Sequence, residues 1–168
     1  MKMNFDKNKL ITLANKTKVL EKKEEIKLIK LWQTKKDEKS LEKILKSYMR
    51  LIVSVANKYL HYGLPREDLV QEGIVGIMNA IEKFDLSKGF RLSTYSKWWI
   101  RALIQEYILK NWSIVKAGSS ASQKALFFNL NKLKKIINYN SFEFMGNNEV
   151  QKVAKILKVK SSQVETME

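Results

Sequence analysis

The sequence predicts an all-α protein, and three observations carry that prediction. One proline and six glycines in 168 residues leave few turns of the kind that strands need. Apolar residues recur at helical spacing along nearly the whole chain. The 45% apolar content is enough to bury a core, and the length suits one ordinary domain or two small ones.

The longest predicted helix follows Asp37, a residue type that favours the N-cap. Gly63 is the predicted C-cap glycine of this segment, and Pro65 is suited to the first turn of the next helix, residues 65 to 84. The core stripe of the long helix comprises Leu41, Ile44, Leu45, Tyr48, Leu51 or Ile52, Val55 and Tyr59.

A tryptophan-rich helix follows the "SKGFRLST" turn and is expected to run to about Asn111. Ser93 or Thr94 is the predicted cap. Gly73 and Gly76, on the preceding helix, are expected to permit close packing of helices.

Three rings of the tryptophan-rich helix are expected to share one face, because Tyr95, Trp98 and Trp99 fall at i, i+3 and i+4. Ala102 and Gln105 continue that face. It is either core or a stacking platform. Since adjacent helix positions point about 100° apart, at least one tryptophan should remain accessible.

Residues 113–119 are predicted to be a linker, and residues 120–168 a second, smaller helical unit. Ser120 and Gln123 have capping-box spacing ahead of an amphipathic stretch. The last portion suggests a short helix, a turn and the start of another helix capped by Ser161 or Ser162.

The net charge of +15 favours a polyanionic partner, either nucleic acid or an anionic membrane surface. Residues 88–116 carry six basic side chains and one acid, interleaved with aromatic rings, as expected of a face that binds nucleic acid. Residues 66–85 carry five acids against Arg66 and Lys83. This acidic helix is better suited to docking on a basic protein surface, so the sequence predicts two faces for different partners.

Several classes of function are disfavoured. The absence of cysteine excludes a disulfide framework and thiolate metal sites, and "MKMNFDKNKL" lacks an apolar signal core, so a cytosolic protein is predicted. No paired-histidine zinc motif, glycine-rich phosphate loop or nucleophile elbow is present. We therefore predict no enzyme, metal, cofactor, small-molecule substrate or membrane span.

Two long segments resemble the second conserved region of bacterial RNA polymerase sigma factors: "MRLIVSVANKYLHYGLPREDLVQEGIVGIMNAIEKFD" and "KGFRLSTYSKWWIRALIQEYI". "NWSIVKAGSSASQKALFFNLNKLKK" resembles the segment that distinguishes the heat-shock branch, and residues 18 to 45 are similar to the N-terminal conserved region of that branch. The resemblance implies regions 1.2 and 2 in residues 1–112 and part of region 3 in residues 120–168. The chain is then expected to end before the domain that reads the minus-thirty-five element.

This resemblance implies a factor that binds core RNA polymerase and directs recognition and melting of the promoter minus-ten element, for heat-shock or stress genes. Trp98 and Trp99 would form a wedge at the upstream fork, and Tyr95 would stack beneath a flipped non-template adenine. The pocket for this base would be lined by Phe84, Asp85, Lys88 and Thr94, with Arg91, Lys97 and Arg101 on the DNA backbone and Phe90 and Gln105 also on the DNA.

The implied contacts to the coiled coil of the largest polymerase subunit are Asp68, Gln71, Glu72 and Met78. The heat-shock-type segment centres on Gln123, Lys124, Leu126, Phe127, Phe128, Asn129 and Leu130. An alternative function is a basic helical protein that binds single strands or RNA without polymerase. Co-purification with core polymerase discriminates the two.

Overall fold

The computed structural model describes residues 19–111, 124, 126–129, 147–157 and 161–165, and every regular element in these ranges is helical. The predicted all-α class is confirmed. The chain divides into two compact units between Trp112 and Ser113. The elements are α1 (Lys22–Lys35), α2 (Glu38–Ala56), a 3₁₀ helix (Asn57–Tyr62), α3 (Arg66–Lys83), a 3₁₀ turn (Leu86–Lys88), α4 (Leu92–Asn111), α5 (Asn147–Leu157) and α6 (Ser161–Glu165).

Helix α2 begins as predicted, because the Asp37 carboxylate accepts the Ser40 N–H at 2.9 Å. It ends earlier than the apolar stripe suggests, since the chain tightens into the 3₁₀ helix after Ala56. Ile52 is fully buried, whereas Val55 near the end of α2 is only half-buried. Tyr59 is also half-buried, because three residues per turn in the 3₁₀ helix rotate it off the stripe. Gly63 closes the segment with φ 76°.

Helix α1 has no counterpart among the elements expected from periodicity. Its buried residues are Glu25, Leu28 and Ile29, so a carboxylate interrupts the apolar pattern that would reveal the helix. Glu25 is 1% exposed. Such a charge is tolerated only when hydrogen bonds replace its water.

The partners of Glu25 come from α2, from Arg91 just before α4 and from the first residue of α4. Its carboxylate accepts the Tyr48 hydroxyl at 2.6 Å, the Leu92 N–H at 3.0 Å and the Arg91 Nη2 at 2.9 Å. Arg91 Nη2 also donates to the Leu20 carbonyl at 2.9 Å. These bonds fasten α1 to α2 and α4.

The same contact corrects the predicted cap of α4. The helix begins at Leu92, so Ser93 and Thr94 lie inside its first turn and neither is the N-cap. The Leu92 N–H is satisfied instead by Glu25, 67 residues earlier in the chain. A carboxylate at this position also complements the helix dipole.

Helices α3 and α4 approach closely at Gly76. A Cβ atom there would lie 2.8 Å from Ile100 Cα and 2.9 Å from the Trp99 carbonyl oxygen, so only glycine fits without backbone movement. A Cβ at Gly73 would meet the Ile52 side chain at 2.6 Å. The predicted packing role of both glycines is confirmed.

Replacing Gly76 with alanine should lower the free energy of unfolding by about 1–3 kcal/mol, because the obstacle is backbone. The Gly73→Ala variant should cost a similar amount, because the Ile52 side chain that its Cβ would meet is fully buried and β-branched, with one strongly preferred rotamer in a helix. Urea denaturation followed by circular dichroism measures both. A loss well below about 1 kcal/mol in Gly76→Ala would contradict the close approach at Gly76.

The second unit has its own buried residues: Leu126, Val150, Val153, Ala154 and Val164. Helices α5 and α6 contact each other, as the helix–turn–helix pattern at the end of the sequence predicts. Ser161 and Ser162 lie within α6. The predicted linker and the capping pair Ser120 and Gln123 lie outside the described residues. Among the helices that the structure describes, none combines the length and hydropathy that a bilayer span requires.

Candidate nucleic-acid interface

A pocket of about 320 Å³ opens where α3 ends and α4 begins. Residues 84–91, which connect the two helices, form much of its wall; we call this segment the pocket loop. The volume lies at the small end of ligand sites in proteins. The aromatic pocket is lined by Lys83, Phe84, Asp85, Lys88, Phe90, Thr94, Tyr95 and Trp98.

The rings of Phe84 and Tyr95 form one wall of the pocket and contact each other. Phe84 is 7% exposed, and its ring centroid lies 5.6 Å from that of Tyr95. Tyr95 in turn meets Trp99 edge-on at 6.3 Å. Because its neighbours hold Tyr95 in place, its half-exposed ring can stack on a planar ligand with little loss of side-chain entropy.

The two tryptophans occupy different environments. Trp98 is 75% exposed and borders the pocket, whereas Trp99 is half-buried, with Lys83 Nζ 4.7 Å from the centroid of its ring. The expectation that at least one tryptophan is accessible is confirmed. The expected single face of three rings divides instead into a packed Phe84–Tyr95–Trp99 cluster and an exposed Trp98.

Asp85 shapes the pocket loop. Its carboxylate accepts the Ser87 N–H at 2.9 Å and the Ser87 hydroxyl at 2.6 Å. These bonds, the hydroxyl first, lower the pKa of Asp85 below its ordinary value, so it is charged at neutral pH. Lys88 Nζ lies 3.8 Å from the other carboxylate oxygen.

Two exposed cations, Lys83 and Lys88, line the pocket. Lys88, Lys97 and Arg101 have exposed side chains on the pocket loop and α4. Arg91 differs, because its guanidinium is bonded to Glu25, which raises the pKa of Arg91. Its position supports the packing of α1 against α4 and weakens its predicted part as a phosphate contact.

Lys83 is a residue that sequence reasoning missed at this site. Its charge was counted within the acidic helix, yet the side chain lines the aromatic pocket and covers Trp99. Its place directly before Phe84 is the signal that could have revealed it. Farther along α4, Gln105 Nε2 donates to the Tyr59 hydroxyl at 3.2 Å, which orients the predicted DNA contact Gln105.

A second surface lies on the solvent side of α3. Asp68, Gln71, Glu72, Val75 and Met78 fall within one arc of the helix, and we call this arc the docking face. Val75, which was not predicted there, is 45% exposed, while the other four are half-buried.

Neighbouring side chains of α4 form hydrogen bonds and charge interactions with the docking face. The Tyr107 hydroxyl donates to Asp68 at 2.8 Å, and burial together with this bond raises the pKa of Tyr107 to about 12. Burial also raises the pKa of Glu72. Lys110, counted above with the basic stretch, pairs with Glu106 at 2.8 Å beside this face, where its charge acts on Glu72.

The docking face starts in the first turn of α3, and the aromatic pocket lies at the end of that helix. Asp68 lies sixteen residues before Phe84, about 24 Å along the helix at about 1.5 Å per residue, and Met78 lies six residues before Phe84, about 9 Å. The docking face therefore begins far from the pocket and ends near it.

The heat-shock-type segment is described only in part. Lys124 and Asn129 are exposed, Leu126 is buried, and the half-buried Phe127 and Phe128 rings meet edge-on at 5.0 Å. Gln123 and Leu130 lie outside the described residues. No group of three or more histidine or acidic side chains in the described ranges could hold a metal ion.

Comparison with known proteins shows which family the chain resembles. Residues 44–114 match the Sigma-70 region 2 family model. The RNA polymerase sigma factor RpoH of Zymomonas mobilis is 43% identical over 162 residues, covering 95% of this chain and 53% of that protein. RpoH of Caulobacter vibrioides is 42% identical over 160 residues, covering 95% and 54%. The RNA polymerase sigma-C factor of Myxococcus xanthus is 44% identical over 125 residues, covering 71% and 41%.

The chain spans about half the length of the curated relatives it matches, at 53% and 54% of the two RpoH proteins. The match reaches from the first unit into the second, since it covers 95% of the chain. These findings confirm the resemblance to sigma factors of the heat-shock branch. The chain therefore belongs to the sigma-70 family of bacterial RNA polymerase sigma factors.

Proposed function

We propose that this chain is a transcription initiation factor that docks on core RNA polymerase and opens the promoter minus-ten element, for heat-shock or stress genes. It acts in the bacterial cytoplasm by binding, without turnover. The observation that carries the proposal is the aromatic pocket, which joins a fixed Tyr95 ring, an exposed Trp98 and nearby cations. Membership of the sigma-70 family supports it.

Base capture is the proposed chemistry of the aromatic pocket. A non-template adenine flips from the duplex and stacks on Tyr95, with Phe84, Asp85, Lys88 and Thr94 around it. Flipping costs a few kcal/mol, and each stacked base returns roughly 1–3 kcal/mol. The charged Asp85 carboxylate can accept a hydrogen bond from an exocyclic amine of the base.

Strand separation is the proposed task of the tryptophans. Trp98 projects into solvent beside the pocket, where it can press against the last base pair of the upstream duplex. Trp99 supports the Tyr95 ring and contributes its exposed edge. Lys88, Lys97 and Arg101 neutralise phosphates, so DNA binding should weaken as salt rises.

Polymerase binding is assigned to the docking face, which would lie against a coiled coil of the largest subunit. The face combines two carboxylates with Val75 and Met78, and half-buried carboxylates require basic partners when water is excluded. A basic helical surface has the complementary charge.

Replacing Gln71 and Glu72 with alanine should weaken binding to core polymerase by about 1–3 kcal/mol, because central polar contacts of an interface are lost. Titration of labelled protein with core polymerase measures the affinity. The control is Glu42→Ala, which removes an exposed acid on α2 that pairs with Lys46 of the same helix. Equal affinity of both variants would contradict the docking assignment.

The second candidate is a protein that uses the aromatic pocket on single strands or RNA without polymerase. The +15 net charge is the observation that favours it. Co-purification with core polymerase decides between the two. Association that is lost in the Gln71→Ala, Glu72→Ala variant supports the initiation factor, and absence of association supports the alternative.

A further inference from the structure

Helix α1 contacts one end of the pocket loop through Gln33. The side-chain amide Nε2 donates to the Ile81 carbonyl at 2.8 Å and to the Phe84 carbonyl at 2.9 Å. The Ile81 carbonyl belongs to the last turn of α3, where helix carbonyls lack partners within the helix. One side chain thus ties the end of α3 and the first residue of the pocket loop to α1.

The same helix contacts the other end of the pocket loop through Glu25. Its carboxylate bonds the Arg91 side chain and the Leu92 N–H. Glu25 and Gln33 lie eight residues apart, or about 12 Å along the helix axis. Both points at which the loop joins its helices are therefore fastened to one rigid element.

A third contact joins the C-terminal end of α1 to α3. Lys36 Nζ lies 3.1 Å from the Glu82 carboxylate and 5.0 Å from the centroid of the Trp32 ring. This pair is exposed and contributes little energy by itself. It nevertheless places the end of α1 beside the last turn of α3, where Gln33 acts.

We propose that α1 sets the shape of the aromatic pocket by holding both ends of the pocket loop, and that Gln33 is the positioning residue at the Phe84 end. This inference rests on the proposed function, because the pocket is taken to capture a flipped base. Gln33 itself does not line the pocket. It acts by holding the backbone carbonyl of Phe84. The ring of Phe84 in turn supports the ring of Tyr95.

The test compares Gln33→Glu with two controls in the full chain. Glutamate has the same length but no donor when ionised, so both carbonyls lose the Gln33 N–H, and the Ile81 carbonyl keeps only the Phe84 N–H at 3.4 Å. Thr34→Ala removes a hydroxyl that donates only within α1, to the Lys30 carbonyl. Ile44→Val removes one methyl from the core of the same unit and reports a general loss of stability.

The first measurement is hydrogen exchange of the free protein, which requires no polymerase. Amides of the pocket loop should exchange about tenfold faster in Gln33→Glu than in the parent chain, because the loop loses the Gln33 bonds, while α2 should be unchanged. A tenfold change corresponds to about 1.4 kcal/mol in the free energy of local opening. Unchanged exchange in the pocket loop, or an equal increase in Ile44→Val, would overturn the positioning role.

The second measurement is base preference in the complex with core polymerase. Fork-junction DNA carries either adenine or an abasic site at the first unpaired non-template position. The ratio of the two affinities should fall about tenfold in Gln33→Glu while affinity for core polymerase stays constant, whereas Thr34→Ala and Ile44→Val should keep the parental ratio. A parental ratio in Gln33→Glu would overturn the inference.

The two measurements separate the inference from the proposed function. If the parent chain shows no preference for adenine, base capture fails, and loop exchange still decides whether Gln33 positions the loop. If the parent chain shows the preference and Gln33→Glu retains it, base capture stands and the positioning role fails.

Discussion

Replacing Glu25 with alanine should lower the free energy of unfolding by about 3 kcal/mol. The change leaves the Arg91 guanidinium, the Leu92 N–H and the Tyr48 hydroxyl without their shared acceptor. Breaking a buried charge pair from one side costs about 3–5 kcal/mol, and we take the lower end because the Arg91 side chain is 37% exposed to water.

Chemical denaturation of the full chain measures this effect, and the adjacent residue provides a matched control. Glu24 is 42% exposed and pairs with Lys43 on the surface, so Glu24→Ala should cost at most about 1 kcal/mol. Losses of similar size in the two variants would show that the Glu25 network adds no more stability than a surface ion pair.

Replacing both Tyr95 and Trp98 with alanine should abolish promoter opening while leaving polymerase binding intact. Tyr95 supplies a stacking surface worth roughly 1–3 kcal/mol per base, and loss of the Trp98 wedge adds to that. Since flipping is offset by contacts of this size, losing both should leave the closed duplex favoured. Permanganate reactivity of unpaired thymines reports opening.

Trp99→Ala is the contrasting variant for this experiment. Its ring is half-buried against Tyr95 and under Lys83, so its removal should reduce both thermal stability and opening. Trp98→Ala should leave thermal stability near that of the parent chain, because the ring is 75% exposed. If Trp98→Ala unfolds early while its folded fraction still opens DNA, Trp98 is a structural residue.

Local sequence was sufficient for the helices that build the first unit. Asp37 and Gly63 bound the segment that contains α2 because caps depend on nearby backbone groups. The predicted helix at residues 65 to 84 matches α3 within one residue at each end, and α4 ends at Asn111 as expected. The residues predicted around the flipped base also meet at one pocket, since the pocket loop is short.

Contacts between residues that lie far apart in the chain could not be predicted from the sequence. Nothing local reveals that Glu25 caps α4 or that Gln33 holds the Phe84 carbonyl, because these partners lie 67 and 51 residues apart. Nothing in the basic stretch distinguishes Arg91 from the other cations, because its partner Glu25 lies 66 residues earlier in the chain. Periodicity could not detect α1, whose buried face includes a carboxylate.

By itself the sequence determined the helical fold, the uneven charge and the presence of at least one accessible tryptophan, because helix periodicity and caps are local properties. Only the tertiary structure decided that Trp98 is the exposed ring and Trp99 the supporting one. The reason is physical: neighbours on a helix diverge by about 100°, and which of them meets solvent depends on where the other helices pack. Here the close approach of α3 at Gly76, against the Trp99 carbonyl, sets that choice.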